Sequence, residues 1–522
     1  MFIQNILNLL AVSAAVDASR ALMPTPPMGF NNWARFECAL NQSVFTETAD
    51  AMVSRGLLAA GYDRVNIDDC WPLHERAGNG SLQWDPVKFP DGLIWLGRYL
   101  KERHLKFGIY SDAGTMTCGG YPGSLGYEGI DATTFHSWGI DYLKLDGCYV
   151  ASEEQAYKQI YSNWHAVLSL MAEPLIFSES APAYFCGESN LTDWYTVMDW
   201  VPLYGELARH SYDIATFDTS GDPWSSILTN YGQEILLARY QSPGYFNDPD
   251  FLIVDHPNLS MDEKKSHFAL WASFSAPLII SAYIPALSDA EIAYLTNRDL
   301  IAVDQDSLGM QATLISQDGT WDVLSKSLSN GDRLLTILNR GAVAANISVP
   351  VQRLGYQHTN ARFTIKDLWT GHQSTTTTEI SAEVPSHGTA VFRVSSSQPI
   401  TPTGMIFNTA SRDCLTANGT SVVWTTCSGL DTQVWQVTTK RTIHSLTNQA
   451  LCLTSKSSIA ILAPCVTNSG AQSWDYAMTG NVVNRGSGDC LTESANGTVT
   501  VSACAIETNA QVFELPSGSL SS

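Results

Sequence analysis

Two periods of apolar residues divide this chain near Leu308. From Met28 to about Ser281, short apolar runs alternate with stretches whose apolar positions recur at helical spacing, the pattern of a parallel sheet built from β/α units. Eight runs read as strands: Met28–Asn31, Arg64–Asp68, Lys106–Ser111, Tyr142–Asp146, Leu175–Glu179, Thr196–Val201, Gly244–Asp248 and Pro277–Ser281. Helical patterns lie between them, over Thr46–Ala60, Gly92–Arg103, Glu153–Leu170 and Met261–Phe274. Eight such units in about 250 residues match the span of a (β/α)8 TIM barrel, placed here at 24–308.

Beyond Leu308 the helical period stops. Strand-like runs follow at Thr313–Ser316, Trp321–Ser327, Arg333–Asn339, Asn346–Val349, Phe363–Asp367 and Ala390–Val394, with turn signals such as Asn330-Gly331. They predict a small antiparallel β-sandwich over 309–394. A Ser/Thr/Pro-rich linker at 395–403 comes next. The remainder, 404–517, repeats itself: Cys-Leu-Thr recurs at Cys414, Cys452 and Cys490, 38 residues apart each time. A second cysteine follows each, at Cys427, Cys465 and Cys504, and then Gln433-Val434-Trp435, Gln472-Ser473-Trp474 and Gln511-Val512-Phe513. Three equal repeats imply a three-fold β unit with one shared core, each repeat closed by its own cysteine pair.

Composition places the chain in a compartment. Phe2 to Val16 is apolar, ends in small residues and is too short to span a bilayer, so 1–18 reads as a signal peptide, although no Lys or Arg precedes the apolar run. No later stretch is long and apolar enough for a membrane helix. A net charge of −22 argues against a nucleic-acid partner and suits an acidic medium. Seven Asn-x-Ser/Thr sequons, at Asn41, Asn79, Asn190, Asn258, Asn346, Asn418 and Asn496, fit a secreted, extracellular glycoprotein. With eleven cysteines in an oxidising compartment, one thiol is left over.

The candidate chemistry gathers at the strand ends. In Asp141-Tyr142-Leu143-Lys144-Leu145-Asp146-Gly147-Cys148, Lys144 and Asp146 share a face of one strand. An ammonium beside a carboxylate keeps it ionised, which suits a nucleophile. The other strand ends read Asp68-Asp69, Ser111-Asp112, Glu179, Asp199 and Asp248-Pro249-Asp250, with Trp33 and Tyr110 beside them. Any one of these acids also reads as a cap for the helix after its strand, Asp112 above all. As a ring around one mouth they point to carbohydrate: aromatic faces stack on a sugar ring and carboxylates accept its hydroxyls.

The motifs MGFNNW, NIDDCW, GIYSDAG, YLKLDGC and NDPD, in that order, resemble glycoside hydrolase family 27, the α-galactosidases and α-N-acetylgalactosaminidases, from about Pro24 to Val394. The C-terminal repeats resemble a ricin-type β-trefoil lectin module, with the third Gln-x-Trp altered to Phe513. The first resemblance implies a retaining α-galactosidase that removes terminal α-D-galactose from galactosides, oligosaccharides and polysaccharides through a covalent galactosyl-enzyme. It implies Asp146 as nucleophile and Asp213, four residues after Arg209, as acid/base. It implies that Asp68 and Asp69 bind sugar hydroxyls, that Lys144 and Arg209 assist, that Trp33 stacks on the ring, and that Tyr110 and Asp250 line the pocket. Disulfides Cys38–Cys70 and Cys118–Cys148 are implied too, leaving Cys186 alone. No metal or cofactor is implied, and the chain has no His-Glu-x-x-His and no phosphate loop.

The loop Ser178-Glu179-Ser180-Ala181-Pro182-Ala183-Tyr184 bears on sugar preference. Ser180 and Ala183 resemble the pair found in members that act on N-acetylgalactosamine, where bulkier residues mark strict galactosidases. Small side chains leave room for an acetamido group, so α-N-acetylgalactosaminide is an alternative or second substrate, with Tyr184 beside it. Two rival classes are weaker: a non-catalytic lectin would lack Asp146 or Asp213, and an acyl hydrolase would carry a Gly-x-Ser-x-Gly elbow. In the trefoil, Thr416, Thr454 and Thr492 stand where sugar-binding relatives generally place an acid, which predicts weak or absent galactose affinity.

Overall fold

The computed structural model describes residues 22–520 except 188–190, 219–220, 357–360 and 507; the expected signal segment and the Asn190 sequon lie outside the described residues. The chain forms two compact units. The first comprises most of the chain to Gln305; the second takes in Ile235–Gln241, Met261–Ser275 and everything from Asp306 onward.

The first unit is organised by eight strands: β1 (Met28–Asn31), β2 (Arg64–Asn66), β3 (Lys106–Asp112), β4 (Tyr142–Asp146), β5 (Ile176–Glu179), β6 (Leu207–Arg209), β7 (Phe246–Asp248) and β8 (Leu278–Ile280). Neighbours pair in parallel in the order β7-β6-β5-β4-β3-β2-β1-β8. A parallel bridge from Leu252, just past β7, to Ile280 of β8 closes the cylinder. The strands are buried almost throughout, so they read as near-continuous apolar runs rather than alternating ones.

One helix explains how the central strand end is held. The helix α1 (Glu154–Leu168) buries Tyr157, Tyr161, Trp164 and Leu168, a single stripe at helical spacing. Two of these residues keep a polar tip, and that tip reaches the sheet. Tyr161 Oη donates to the carbonyls of Leu145 and Asp146 at 2.9 and 3.0 Å, and Tyr157 Oη to that of Gly147 at 2.8 Å. The turn after β4 is thus fixed from behind by side chains that stay out of the mouth.

The sixth strand departs from the expectation. Thr196–Val201 is not a strand: Leu191–Met198 is a helix, α2, followed by a turn and the 3-10 segment Val201–Leu203. Its apolar run is buried as helix, through Trp194, Tyr195, Val197 and Met198, and a short apolar run looks alike in either setting. The true β6 is three residues long and is flanked by Glu206 and His210, too brief to stand out as a pattern. Asp199 therefore follows a helix and does not end a strand. The helix expected over Thr46–Ala60 is also divided, into Gln42–Ser54 and Leu57–Ala60, because Gly56 takes a left-handed φ of 83°.

In the second unit, a six-stranded antiparallel sheet and a two-stranded partner enclose a core that includes Ile315, Leu335, Ile337, Phe363 and Phe392. Strands Trp321–Ser327, Arg333–Asn339 and Phe363–Asp367 match the expected bounds, but Gln373–Thr376 and Glu379–Val384 were not foreseen. The expected linker is in part bonded to the sandwich, since Thr401 N donates to Gly355 O at 3.0 Å. The three repeats share one core built on Leu415, Leu453 and Leu491 with Trp435, Trp474 and Phe513. In the first two, the indole N–H donates to the carbonyl of the leucine at 2.7 and 2.9 Å. Phe513 has no N–H to give, and there Trp424 stacks on it at 5.0 Å.

Candidate active site

The acids at the strand ends form two hydrogen-bonded groups. In the first, Asp146 closes β4 in register with Asp112 of β3. Its Oδ2 accepts from Tyr110 Oη at 3.1 Å, and its Oδ1 accepts from Tyr184 Oη at 2.6 Å and from Gly147 N at 3.0 Å. Three donors hold the carboxylate in one orientation. Beside it, Lys144 Nζ donates to Asp68 Oδ2 at 2.7 Å, and Asn31 Nδ2 donates to the same oxygen at 2.7 Å. The direct partner of Lys144 is therefore Asp68, where the strand pattern suggested Asp146. Burial works to lower the Lys144 pKa, but Asp68 and then Asp146 outweigh it and raise it, so the ammonium stays charged. Its charge lies over the rings of Tyr110 and Phe251, 5.2 and 5.1 Å from their centroids.

In the second group, Arg209 ends β6 and its Nη2 lies 3.0 Å from both Asp213 Oδ1 and Asp250 Oδ2. One cation thus serves two acids with unlike surroundings. Asp250 is buried and also accepts from the backbone of Ile214 and Phe251 at 2.8 and 2.9 Å. Burial pushes its pKa up to about 6 against the pull of Arg209. The Asp213 side chain is 72% exposed in the mouth. Crowding by protein works to raise its pKa, but Arg209 and Lys144 hold it below the ordinary carboxylate value. Of the two, Asp213 is the acid that a solute reaches.

Other acids of the expected ring do different work. Asp112 accepts from Gly114 N at 2.6 Å and from Cys148 N at 2.9 Å, tying the loops after β3 and β4 together. Burial and then the Asp146 charge push it up to about 8. Asp69 is bonded to the backbone of Cys70 and Gly119 at 2.6 and 2.7 Å. Glu179 does not join the mouth: it is fully buried against Gly205 and Glu206, and burial raises its pKa well above the usual range. Asp248 turns back on its own loop, accepting from Asp250 N at 2.8 Å.

The loop after β5 is a single 3-10 turn, Ala181–Tyr184, with Ser180 at its start and Ala183 within it. Ser180 makes no capping bond, and its Oγ is buried without a hydrogen-bond partner. Trp33 is half-buried just past β1, and its backbone N–H donates to Asn31 Oδ1 at 2.8 Å. Disulfides join Cys38–Cys70, Cys118–Cys148, Cys414–Cys427, Cys452–Cys465 and Cys490–Cys504, and Cys186 is free and buried. The Cys118–Cys148 bridge lies at the mouth, with Cys148 Sγ 3.2 Å from Tyr184 Oη. Sequence reasoning missed Asn31 and Phe251. Asn31 stands inside MGFNNW, and its placement at the end of β1, facing the end of β2, was the signal available.

A parallel barrel with carboxylates, a lysine, an arginine and tyrosines converging on one mouth defines a glycosidase, and comparison with known proteins agrees. A family model described as "Alpha galactosidase A" matches residues 25–306. "Alpha galactosidase C-terminal beta sandwich domain" matches 318–394, and "Ricin-type beta-trefoil lectin domain" matches 402–513. The chain belongs to the α-galactosidase A family, glycoside hydrolase family 27. It is 57% identical over 508 residues to α-galactosidase A of Aspergillus niger, covering 95% of this chain and 93% of that one. It is 36% identical to the α-galactosidase of Cyamopsis tetragonoloba over 72% of this chain and 87% of the other. Among solved structures, α-galactosidase I of Mortierella vinacea superposes with a TM-score of 0.66 at 28% identity, covering 73% of this chain and 99% of that one. The Saccharomyces cerevisiae α-galactosidase with raffinose does so at 0.64 and 26%, covering 72% and 98%.

Proposed function

We propose that this α-galactosidase works by double displacement, with Asp146 as nucleophile and Asp213 as acid/base. The observation that carries the reading is the fixing of Asp146 by Tyr110, Tyr184 and Gly147 N at the end of a buried strand. An Asp146 oxygen attacks the anomeric carbon of a terminal α-galactosyl unit while Asp213 gives its proton to the departing glycosidic oxygen. Asp213 then takes a proton from water, which attacks the same carbon and releases galactose from the Asp146 ester. Two inversions leave the α configuration. Lys144, held by Asp68, and Arg209, held by Asp250, offer donors to the sugar hydroxyls, and Trp33 offers a ring face. Proton NMR of the first product tests this: α-galactose is expected, and initial β-galactose overturns it.

A second substrate is favoured by the buried, unpartnered Ser180 Oγ. It has a free donor for an acetamido carbonyl, and the Ala183 methyl suits an acetamido methyl. Cleavage of both nitrophenyl α-galactoside and nitrophenyl α-N-acetylgalactosaminide is expected; no turnover of the second defeats this reading.

Secretion is supported by the apolar N-terminal run, the acidic charge, the sequons and five disulfides. Among the described residues no helix is long and apolar enough to cross a membrane. The trefoil acts as an appended module with weak galactose affinity. The Thr416, Thr454 and Thr492 hydroxyls each donate to the carbonyl of their own repeat's cysteine and accept from Gln433, Gln472 and Gln511 at 3.1, 3.0 and 2.9 Å.

A further inference from the structure

A groove of about 680 Å³, lined by none of the carboxylates of the mouth, opens on the barrel's surface over Leu82, Trp84, Pro86 and Trp138. The two indoles meet edge to face at 5.4 Å, and Trp84 is half-buried, with part of its ring open to the groove. Thr134, Ser137 and Gln83 also line it; their hydroxyls and amide donate to the carbonyls of Ile130, Thr134 and Glu75, which leaves their oxygens as acceptors. An aromatic platform ringed by polar groups is the form that sugar recognition takes.

Asn79 lies on the rim of this groove. It is the acceptor of the sequon Asn79-Gly80-Ser81 and stands exposed at the tip of a tight turn. Ala77 N donates to Ser81 O at 2.9 Å and Gly80 N to Ala77 O at 2.8 Å. Arg76 braces the turn, donating to Gly80 O at 2.8 Å and to both oxygens of buried Asp131 at 2.7 Å. Asn79 Oδ1 accepts from Ser81 N and Ser81 Oγ at 3.1 and 2.8 Å, while its Nδ2 has no partner among the described residues. The nitrogen that would bear a sugar is free, and the turn beneath it is rigid.

We propose that Asn79 carries an N-linked glycan whose first N-acetylglucosamine units lie in this groove against Trp84. In the attachment, Asn79 Nδ2 bonds to the anomeric carbon of the first sugar. The bond from that carbon to a polyprenyl-pyrophosphate donor breaks, and the amide gives up one proton as the lipid pyrophosphate leaves. The attached sugars then meet the groove as an intramolecular ligand. A short rigid tether keeps the ordering cost of docking small. The apolar sugar face covers the indole, and Gln83, Thr134 and Ser137 face the ring hydroxyls.

This inference rests on the secretion reading, and the experiment separates the two. The full-length protein is collected from the medium of a eukaryotic host and its glycopeptides are mapped, then the native protein is treated with an endoglycosidase over time. Occupancy at Asn79 is expected, with release about tenfold slower than at Asn41 and Asn258, the factor that about 1.4 kcal/mol of docking supplies. Trp84→Leu, which keeps apolar bulk and removes the indole face, is expected to bring the Asn79 rate up to the others. A bare Asn79 beside occupied sequons overturns the inference and leaves secretion standing. Release at the common rate overturns the docking. A secreted protein with every sequon bare overturns the inference and the glycoprotein reading together.

Discussion

At the scale of residues, the site divides its charges unequally. Asp146 receives three donors, whereas Asp213 shares Arg209 with Asp250. Asp146→Asn keeps the shape and removes the charge, so turnover of nitrophenyl α-galactoside should fall below about a hundredth of wild type while ligand binding persists. Asp213 must hold a proton to act as the acid, and its pKa is depressed, so kcat/KM should fall as pH rises from the acid side. Arg209→Gln removes the main lowering charge and leaves the crowding by protein, which raises it. The alkaline limb of the pH–rate profile should then move to higher pH, at a cost in kcat; an unmoved limb would detach that limb from Asp213. Part of this site was legible beforehand, because acids at the ends of β3 and β4, Asp112 and Asp146, fall at one mouth whatever their individual roles, whereas Glu179 at the end of β5 is buried away from it. What stayed hidden was partner choice. Lys144 and Asp146 do share a strand, but the nearest oxygen to Nζ belongs to Asp68, from a different strand's loop, and spacing along one strand carries no information about its neighbour.

At the scale of elements, local pattern succeeded where a run was long or strongly periodic. Met261–Phe274 and Tyr142–Asp146 have their expected bounds. It failed at β6, where three residues carry no period, and at Gln373–Thr376, which has no apolar residue; Glu379–Val384 does alternate, through Ile380, Ala382 and Val384, and was missed with its period present. Two elements invite direct tests. The 3-10 turn after β5 sets the room beside carbon two of the sugar. Ser180→Glu with Ala183→Leu should depress cleavage of the acetamido substrate far more than that of the galactoside, by about 1–3 kcal/mol in the ratio of kcat/KM values. The helix α1 holds the β4 turn through the hydroxyls of Tyr157 and Tyr161 and the packing of the Tyr157 ring on Gly147. Tyr161→Phe removes the hydroxyl shared by the Leu145 and Asp146 carbonyls, of which Asp146 keeps Ala113 N as a donor, so it should cost about 1–3 kcal/mol in a denaturant melt and lower kcat as well.

At the scale of the whole molecule, buried acids tie stability to pH. Asp112 is pushed from 3.8 up to about 8, Asp250 to about 6, and Glu179 upward, in each case chiefly by burial. A carboxyl whose pKa rises on folding binds a proton more tightly in the folded state. Its contribution is fully present at acid pH and is lost as pH climbs from the unfolded pKa through the folded one. The Tm should therefore decline from about pH 4 toward pH 8, and Glu179→Gln should flatten that slope by removing one such proton. A Tm that rises over this range would contradict the burial argument. The trefoil is tested by titrating the segment 403–515 with galactose, where a sub-millimolar dissociation constant would defeat the reading of a weakly binding appendage.

The grip of Tyr157 and Tyr161 on the carbonyls behind Asp146 has a practical consequence. Tyr184 apart, which holds Asp146 from the loop after β5, the machinery that aims the nucleophile and the surface that chooses the sugar are carried by different side chains. Breeding this enzyme toward a new glycoside means varying Ser180 and Ala183 with Tyr184 and the helix α1 left alone. Libraries that spare its two tyrosines should lose few members to dead chemistry, and random mutagenesis across that helix should yield folded proteins that have gone slow.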